Sequence, residues 1–333
     1  MSEIKIERDM KLIQVLAAQN RNERVDSDKI EEANQIISEL AQDLNPQNCH
    51  EIGQVIAFTV EELQKNALDF LGMMADVKDV DYGDKALFNV RQGSIKAYIQ
   101  AKGGTTARSM ITDKQILVPT KEVSARPAMN IIDLHKGKIN IADLIREAND
   151  AMTEKKLGVI ESVLQAAIAP FGSPWYAAST GGLNQASLDA QILHFRRLGP
   201  VTLAGDLGAV SQLSPLTGMA TNSAPIMAFS GNMLDEHAQN GFIGNYNGCA
   251  VTAFQNAYKD DGVTPVLNPN WLYIIPGAAS RDARNLKVVN EGGVNQMPSQ
   301  NIDSRTYEVL LYTWFGAAFV VGKNPTAGAH YIN

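Results

Sequence analysis

Histidines offer this chain its most versatile catalytic and metal-binding chemistry, because neutral imidazole binds zinc and titrates near neutral pH. A zinc site needs ligands at close spacing, for example two histidines four residues apart on one helix. No two of the five histidines have such a spacing, and the residue pair at 50–51 lacks the second histidine of a zinc-protease helix. The five are His50, His135, His194, His237 and His330. The sequence therefore predicts no metal site.

Motifs for nucleophilic catalysis and nucleotide binding are also missing. Ser230 and the glycine after it are not preceded by the Gly-x of a nucleophile elbow, and no phosphate-binding Gly-x-x-x-x-Gly-Lys-Ser/Thr loop occurs. Gly241, Gly244 and Gly248 have the wrong spacing for a dinucleotide fingerprint. The Asp-Asp-Gly at 260–262 lacks the spacing of a calcium loop and predicts a turn. We predict no catalytic, cofactor-binding or metal-binding residues.

An enzyme with its active site spread over several loops stays open as an alternative, because such a site leaves few local motifs. Its most suitable polar groups would be Asp206, His194 and His237, all within a lobe at 186–283. A deep pocket that joins the three side chains would favour this alternative. A flat lobe packed on its own copies would not.

Charge is distributed unevenly along the chain. The net charge is −7. Residues 1–83 carry 8 basic and 17 acidic side chains, whereas residues 84–138 carry 10 basic and 4 acidic ones, so the two segments have balances of −9 and +6. Limited aromatic content in the basic segment and an acidic whole chain argue against nucleic-acid recognition there. Contact between the basic segment and an acidic protein surface is the favoured alternative to a solvated face.

Composition and cysteine content indicate an ordinary globular protein. The chain has 333 residues, of which 45% are hydrophobic and 20% charged, enough for one large core or two smaller ones. Cys49 and Cys249 are far apart and predict reduced thiols. We expect no secretory signal at 1–10 and no membrane span at 310–322, and therefore synthesis in the cytosol.

Elements that position these segments follow from hydrophobic periodicity. Residues 1–28 predict an arm ordered mainly by contact, followed by helices at 27–44 and 49–71. Strands are predicted at 86–90, 94–101 and 116–120. These strands have too few large apolar side chains to fold alone, so the segment must pack on another surface.

A long helix is predicted at 140–169, where apolar residues recur at steps of three and four until Pro170. About thirty residues at 1.5 Å rise make a rod of roughly 45 Å that needs a sheet beneath it. A compact α/β lobe should follow, with a helix at 188–198. The remaining lobe elements are predicted strands at 201–204, 226–229, 248–254 and 271–275 and a short helix at 233–239. Strands return at 286–289 and at 307–321, where we predict a hairpin with Gly316 or a bulge inside it.

This order of parts resembles the major capsid proteins of tailed bacteriophages. Three stretches carry the resemblance in detail: 282–294 (DARNLKVVNEGGV), 303–308 (DSRTYE) and 314–322 (WFGAAFVVG). They are similar to the C-terminal strands of the family's peripheral domain. The resemblance implies an α+β Hong Kong 97-type major capsid protein fold with an N-terminal arm, an extended loop, a peripheral domain with a long spine helix, and an axial domain.

The resemblance also implies domain boundaries. The N-terminal arm and its helices would occupy 1–75, and the extended loop 76–118. The peripheral domain would combine 119–185 with 284–333, and the axial domain would be 186–283.

A structural coat protein of the virion, and no enzyme, is the function that the resemblance implies. Copies would form hexamers and pentamers of an icosahedral bacteriophage head around double-stranded DNA, without sequence-specific recognition, membrane contact or cofactors. A separate scaffolding protein and a portal would be partners. Contacts between subunits are expected from Arg91, Lys96, Lys102 and Arg108 of the loop. An encapsulin-type compartment of the same fold, housing an enzyme cargo, is the nearest alternative.

Overall fold

The computed structural model describes residues 3–333 apart from 22, 24–26, 68–70, 93–107, 136–140, 217–237, 255, 257, 260, 278–283, 302, 322–324 and 326. Helices predominate at the start of the chain and strands at its end. Among the described residues, no helix is both long enough and apolar enough to cross a bilayer.

The helices lie mostly in the first two thirds of the chain. They are α1 (Glu3–Asn20), α2 (Ser27–Gln42), α3 (Pro46–Ala67), α4 (Leu71–Met74), α5 (Ile131–His135), α6 (Ile141–Ile168), α7 (Gln185–Arg196), α8 (Leu207–Ser211) and α9 (Leu213–Leu216). The long helix predicted at 140–169 is confirmed as α6, which ends in a single 3-10 turn at Ala169–Phe171 because Pro170 cannot continue the α-helical hydrogen bonds.

The strands form three sheets. They are β1 (Ala75–Val80), β2 (Leu87–Gln92), β3 (Thr112–Leu117), β4 (Lys121–Ala125), β5 (Ala128–Asn130), β6 (Tyr176–Ser179), β7 (Val201–Asp206), β8 (Asn245–Tyr246), β9 (Cys249–Phe254), β10 (Trp271–Pro276), β11 (Leu286–Asn301), β12 (Thr306–Phe319) and β13 (Gly328–Ile332). The first sheet has the order β1-β11-β12-β4 with β5 on β12, the second has the order β6-β13-β10-β7-β9-β8, and β2 pairs with β3.

The spine helix α6 packs across the first sheet, against β12 and β4, and against α3. Its buried side chains recur at helical spacing, as the predicted stripe requires. They include Ile141, Ile145, Met152, Ile160, Leu164 and Ile168. The sheet strands β11 and β12 contribute Leu286, Val288, Val309 and Leu311 to the same core.

The N-terminal arm is more ordered than the sequence predicts, because its first segment is an 18-residue helix. Leu12 and Leu16 on α1 are buried in the core shared with α3 and α6. The arm therefore belongs to the main core.

Two strands pair outside the boundaries drawn from the resemblance. The resemblance groups the segments 119–185 and 284–333 with the spine helix. Each segment contains one strand of the second sheet, β6 in the first and β13 in the other. β13 pairs antiparallel with β10 and parallel with β6, so the last strand returns to the lobe at 186–283. Leu188, Phe195, Leu203 and further residues form the core of that lobe.

The hairpin predicted within 307–321 is wrong. β12 runs unbroken from Thr306 to Phe319, and its hairpin partner is β11, which precedes it. Gly316 sits inside the strand because the carbonyl oxygen of Pro119 approaches closely: a Cβ there would lie 2.5 Å from that oxygen. The irregularity in pairing lies in β11, between Glu291 and Asn295. The predicted strands at 94–101 and 226–229, and most of the helix at 233–239, fall outside the described residues.

Candidate assembly interface

A two-stranded hairpin carries the segment that the sequence analysis assigns to an extended loop. β2 and β3 are antiparallel, from Leu87 opposite Leu117 to Gln92 opposite Thr112. They form a sheet of their own. A lone two-stranded hairpin is marginally stable in water. Its position must therefore be fixed by contacts at its root.

The inner face of the hairpin root is anchored by Phe88, which is 1% exposed. The ring packs with Ala86, Val118 and Val289, and Val289 belongs to the central strand β11. Burying a phenylalanine side chain contributes about 1.5–3 kcal/mol. The hairpin is thus docked on the body through one aromatic side chain in a small apolar socket.

Two lysines bracket the Phe88 ring. Lys78 Nζ lies 4.6 Å from the ring centroid and donates to the carbonyl oxygen of Leu87 at 2.7 Å. Lys287 Nζ lies 5.4 Å from the centroid and pairs with Asp76 Oδ2 at 2.8 Å. Cation–π contacts contribute about 0.5–1 kcal/mol at exposed sites and about 2 kcal/mol when desolvated. Both ammonium groups therefore help to hold the ring in place.

Glu291 ties the two ends of the extended segment together. Its Oε1 accepts a hydrogen bond from the backbone N–H of Gly83, before β2, at 3.1 Å. Its Oε2 accepts from the hydroxyl of Thr120, after β3, at 2.5 Å. Glu291 lies at the irregularity of β11. One carboxylate therefore fixes both the entry to and the exit from the hairpin.

The outer face of the hairpin carries one exposed apolar pair at its base, followed by polar pairs. Leu87 and Leu117 face each other across the two strands and are 46% and 47% exposed. Met110, just before β3, is 75% exposed. Adjacent exposed large apolar side chains indicate an interaction surface.

The loop residues predicted to contact other subunits are placed unequally. Arg91 lies in β2 opposite Asp113, and Arg108 is exposed on the approach to β3. Lys96 and Lys102 lie outside the described residues. Both described arginines therefore lie in the hairpin segment, and contact with other subunits stays a prediction.

A cleft lined by several charged and amide side chains was not anticipated from the sequence. It has a volume of about 570 Å³ and lies between the end of α3, β1, the middle of α6 and the irregular part of β11. Lys156 forms its floor at 3% exposure and donates to Gln64 Oε1 at 2.7 Å. Asp79 and Asp81 lie at its mouth and are exposed.

Burial sets the charge state of the cleft floor. It lowers the pKa of Lys156 to about 8, against the opposing effect of Asp79 and Glu61. One sequence signal could have located this residue: a lysine stands four residues from both Met152 and Ile160, in the apolar stripe of the spine helix. A charged residue in such a stripe indicates a specific polar partner.

The polar groups of the enzyme alternative have structural partners instead. Asp206 caps α8, because its Oδ1 accepts a hydrogen bond from the Gly208 N–H. Its Oδ2 accepts a hydrogen bond from Asn256 Nδ2 at 2.7 Å. His194 packs edge-on against the rings of Trp175 and Phe195. His237 lies outside the described residues. In the part of the chain that is described, no group of three metal-ligating side chains occurs.

The layered sheets, the spine helix and the hairpin define the Hong Kong 97-type fold of phage major capsid proteins. A solved structure described as Mycobacterium phage Bobi aligns with a TM-score of 0.52 and 13% identity over 79% of this chain and 89% of that chain. The asymmetric unit of bacteriophage PhiM1 mature capsid aligns with a TM-score of 0.50 and 11% identity over 78% and 86%. At these identities the likeness shows the fold alone.

A family model described as "SPbeta prophage-derived putative capsid protein YonB" matches residues 1–328. The chain belongs to this family. Fold and family together give it a major capsid role. A search among curated proteins finds no match.

The virus-like particle from Pyrococcus furiosus aligns with a TM-score of 0.46 and 11% identity over 81% of this chain and 97% of that chain. This score is too low to carry an argument for the encapsulin-type alternative.

Proposed function

We propose that this protein assembles through hexamers and pentamers into a closed icosahedral phage head around double-stranded DNA. The hairpin is the observation that carries the proposal. It is docked by its inner face through Phe88, while Leu87 and Leu117 on its outer face are half exposed. A surface of this kind gains stability when a second chain covers it.

Charge supports contact between copies. The hairpin belongs to the segment with a balance of +6, and the preceding segment, which forms the helical arm, has a balance of −9. Arg91, Lys96, Lys102 and Arg108 supply positive charge to the loop, and opposite charges on two subunits steer their association. Each copy carries both surfaces, so repeated contacts of one kind can close into a ring.

The remaining parts of the proposal follow from this role. A net charge of −7 disfavours tight, sequence-specific binding of the enclosed DNA. Synthesis would occur in the host cytoplasm before assembly into the virion, with a separate scaffolding protein and a portal as partners, and no catalytic step is required. For the domains, we propose the arm at 1–75 and the extended loop at 76–118, with β6 and β13 assigned to the axial sheet.

Charge reversal in the loop tests the proposal. Changing Lys96, Lys102 and Arg108 together to glutamate should prevent shell formation, seen by sedimentation velocity and negative-stain electron microscopy. The matched control reverses three exposed charges elsewhere, Lys121, Lys155 and Arg197, and should still form shells. Intact shells from the loop variant would count against loop-mediated contact. Wild-type protein that stays monomeric with and without a scaffold would count against the function itself.

A further inference from the structure

The lobe at 186–283 contains two Asn–Gly steps, at 240–241 and at 247–248. An asparagine before a glycine can lose its side-chain amide without an enzyme, because glycine has no Cβ to keep its backbone nitrogen away from the preceding side chain. The two steps have the same residue types and lie seven positions apart. Their surroundings differ, so the structure predicts different reactivity for the same chemistry.

The second step is part of a tight turn. Asn247 and Gly248 are the two central residues between β8 and β9, where Tyr246 pairs with Cys249. Their φ angles are 47° and 72°, and positive φ at both central residues is the mark of the type I′ turn that two-residue hairpins favour. Pairing of the flanking strands therefore fixes the backbone of this step.

Two side chains of α7 hold the same step. Asn247 Nδ2 donates to Asp189 Oδ1 at 2.6 Å, and Arg196 Nη1 donates to the carbonyl oxygen of Asn247 at 2.7 Å. Loss of the amide requires Asn247 Cγ and the backbone nitrogen of Gly248 to come within about 3–3.5 Å in the correct orientation. The first contact restrains the side chain, and the second restrains the peptide group that contains this nitrogen. The step at 247–248 is therefore held away from the reactive geometry.

The first step has no such restraint within the described part of the chain. Asn240 is exposed at the end of the helical turn described at 238–240, and its side chain has no hydrogen-bond partner among the described residues. Gly241 is exposed as well, with a φ of 77°, and a Cβ built on it would meet no described atom within 4 Å. Water therefore reaches this step, and the side chain is free to turn towards the backbone nitrogen.

We propose that the step at 240–241 is a site of spontaneous deamidation in the folded protein, whereas the step at 247–248 is protected. The backbone nitrogen of Gly241 loses its proton to solvent base and attacks Asn240 Cγ. The new N–Cγ bond replaces the Cγ–Nδ2 bond, and the side-chain nitrogen leaves as ammonia. Water then opens the cyclic imide at either carbonyl carbon, which gives aspartate or isoaspartate in place of the asparagine.

Charge is the consequence for the protein. Each event adds one negative charge to a chain whose net charge is −7. Every copy carries the same step, so the lobes of an old particle become more acidic than those of a new one. The reaction takes only water as a reactant and occurs in single chains, so the inference does not depend on shell formation.

Incubation of the purified protein at mildly alkaline pH tests the proposal. Chymotrypsin cuts after Phe242 and Tyr246, which separates the two steps, and peptide mass spectrometry then follows both in one sample. The exchange of an amide for an acid should be at least about tenfold faster at Asn240 than at Asn247. In Asn240→Gln, acidic species should accumulate much more slowly on ion exchange, because a glutamine must close a larger ring.

The same incubation in guanidinium chloride is the matched control, since it removes the contacts of α7 and leaves the sequence unchanged. The two steps should then react at similar rates. Equal rates in the folded protein, a preference for Asn240 that persists in the unfolded chain, or undiminished acidic species in Asn240→Gln would overturn the proposal. Each of these results leaves the proposed function standing.

Discussion

Phe88→Ala is expected to release the extended hairpin while the body stays folded. Removing a buried phenylalanine side chain costs about 3–5 kcal/mol. The socket is small, formed by Ala86, Val118 and Val289, which places the cost near the lower end. Loss of the two lysine–ring contacts is part of this cost. Because the hairpin pairs with no other sheet, this cost falls mainly on its docking and not on the core.

Hydrogen exchange of the unassembled protein measures this docking. A loss of about 3 kcal/mol raises local opening roughly a hundredfold, since 1.4 kcal/mol corresponds to a factor of ten. Amides of β2 and β3 should therefore exchange about a hundredfold faster in the variant, while those of α6 and β11 keep their rates. Shell formation should fall with the loss of docking.

Leu87→Ala is the matched control, because Leu87 is the adjacent residue and faces the opposite side of the hairpin. It is 46% exposed, so its loss should leave hairpin exchange in the unassembled protein within about threefold of wild type, yet still weaken assembly. If Phe88→Ala leaves hairpin exchange unchanged, or speeds exchange equally in α6, the docking argument is refuted.

Four further predictions concern the body of the protein. Glu291→Gln leaves one side-chain oxygen for two donors, the N–H of Gly83 and the hydroxyl of Thr120. Hydrogen exchange of the Gly83 amide should therefore rise by about tenfold. An unchanged exchange rate would show that the carboxylate does not hold the hairpin ends. Burial lowers the pKa of Lys156 from 10.5 to about 8. Between pH 8 and 10.5 the lysine therefore binds a proton more strongly in the unfolded chain than in the folded protein, and the stability of the wild type should rise with pH over this range. Lys156→Met should remove that rise in stability between pH 7.5 and 10, measured by urea titration. At pH 7.5 the variant should be more stable than wild type by up to about 3 kcal/mol. An equal dependence of stability on pH in the two proteins would contradict the assigned pKa. Burial lowers the pKa of His330 to about 4, so stability should fall as pH drops from about 6.5 to 4, and His330→Gln should reduce this fall between pH 7 and 4.5; an unreduced fall would assign it to other groups. Gly328→Ala would place a Cβ 2.5 Å from the ring of Phe195 and should destabilise the protein by about 1–3 kcal/mol in thermal unfolding, while an unchanged midpoint would show that the ring moves freely.

Local periodicity was enough to predict the spine helix and the helices at 27–44 and 49–71, but not α1. The stripe from Ile141 to Ile168 repeats over many turns, so one strong signal decided the element. Strand partners were harder, because pairing depends on residues far apart in sequence. The segment at 307–321 showed a glycine that suggested a turn, whereas Gly316 is required by the approach of Pro119 from another part of the chain.

Non-local pairing also explains why the last strand was not predicted from the sequence. β13 lies between β10 and β6, and the parallel contact with β6 joins residues about 150 positions apart. The cleft was missed for the same reason: Gln64, Lys156 and Asn290 come from three separate elements, and single residues of these types carry no motif. The difference in net charge between the arm and the loop, however, could be read from the sequence, because it requires only a count of acidic and basic residues.

Cryo-electron microscopy of the purified protein, alone and co-expressed with a scaffolding protein, tests the central claim most directly. The account predicts closed shells whose reconstruction shows six-fold and five-fold rings of one chain, with each hairpin lying on a neighbouring copy. A stable monomer or dimer under both conditions would contradict it.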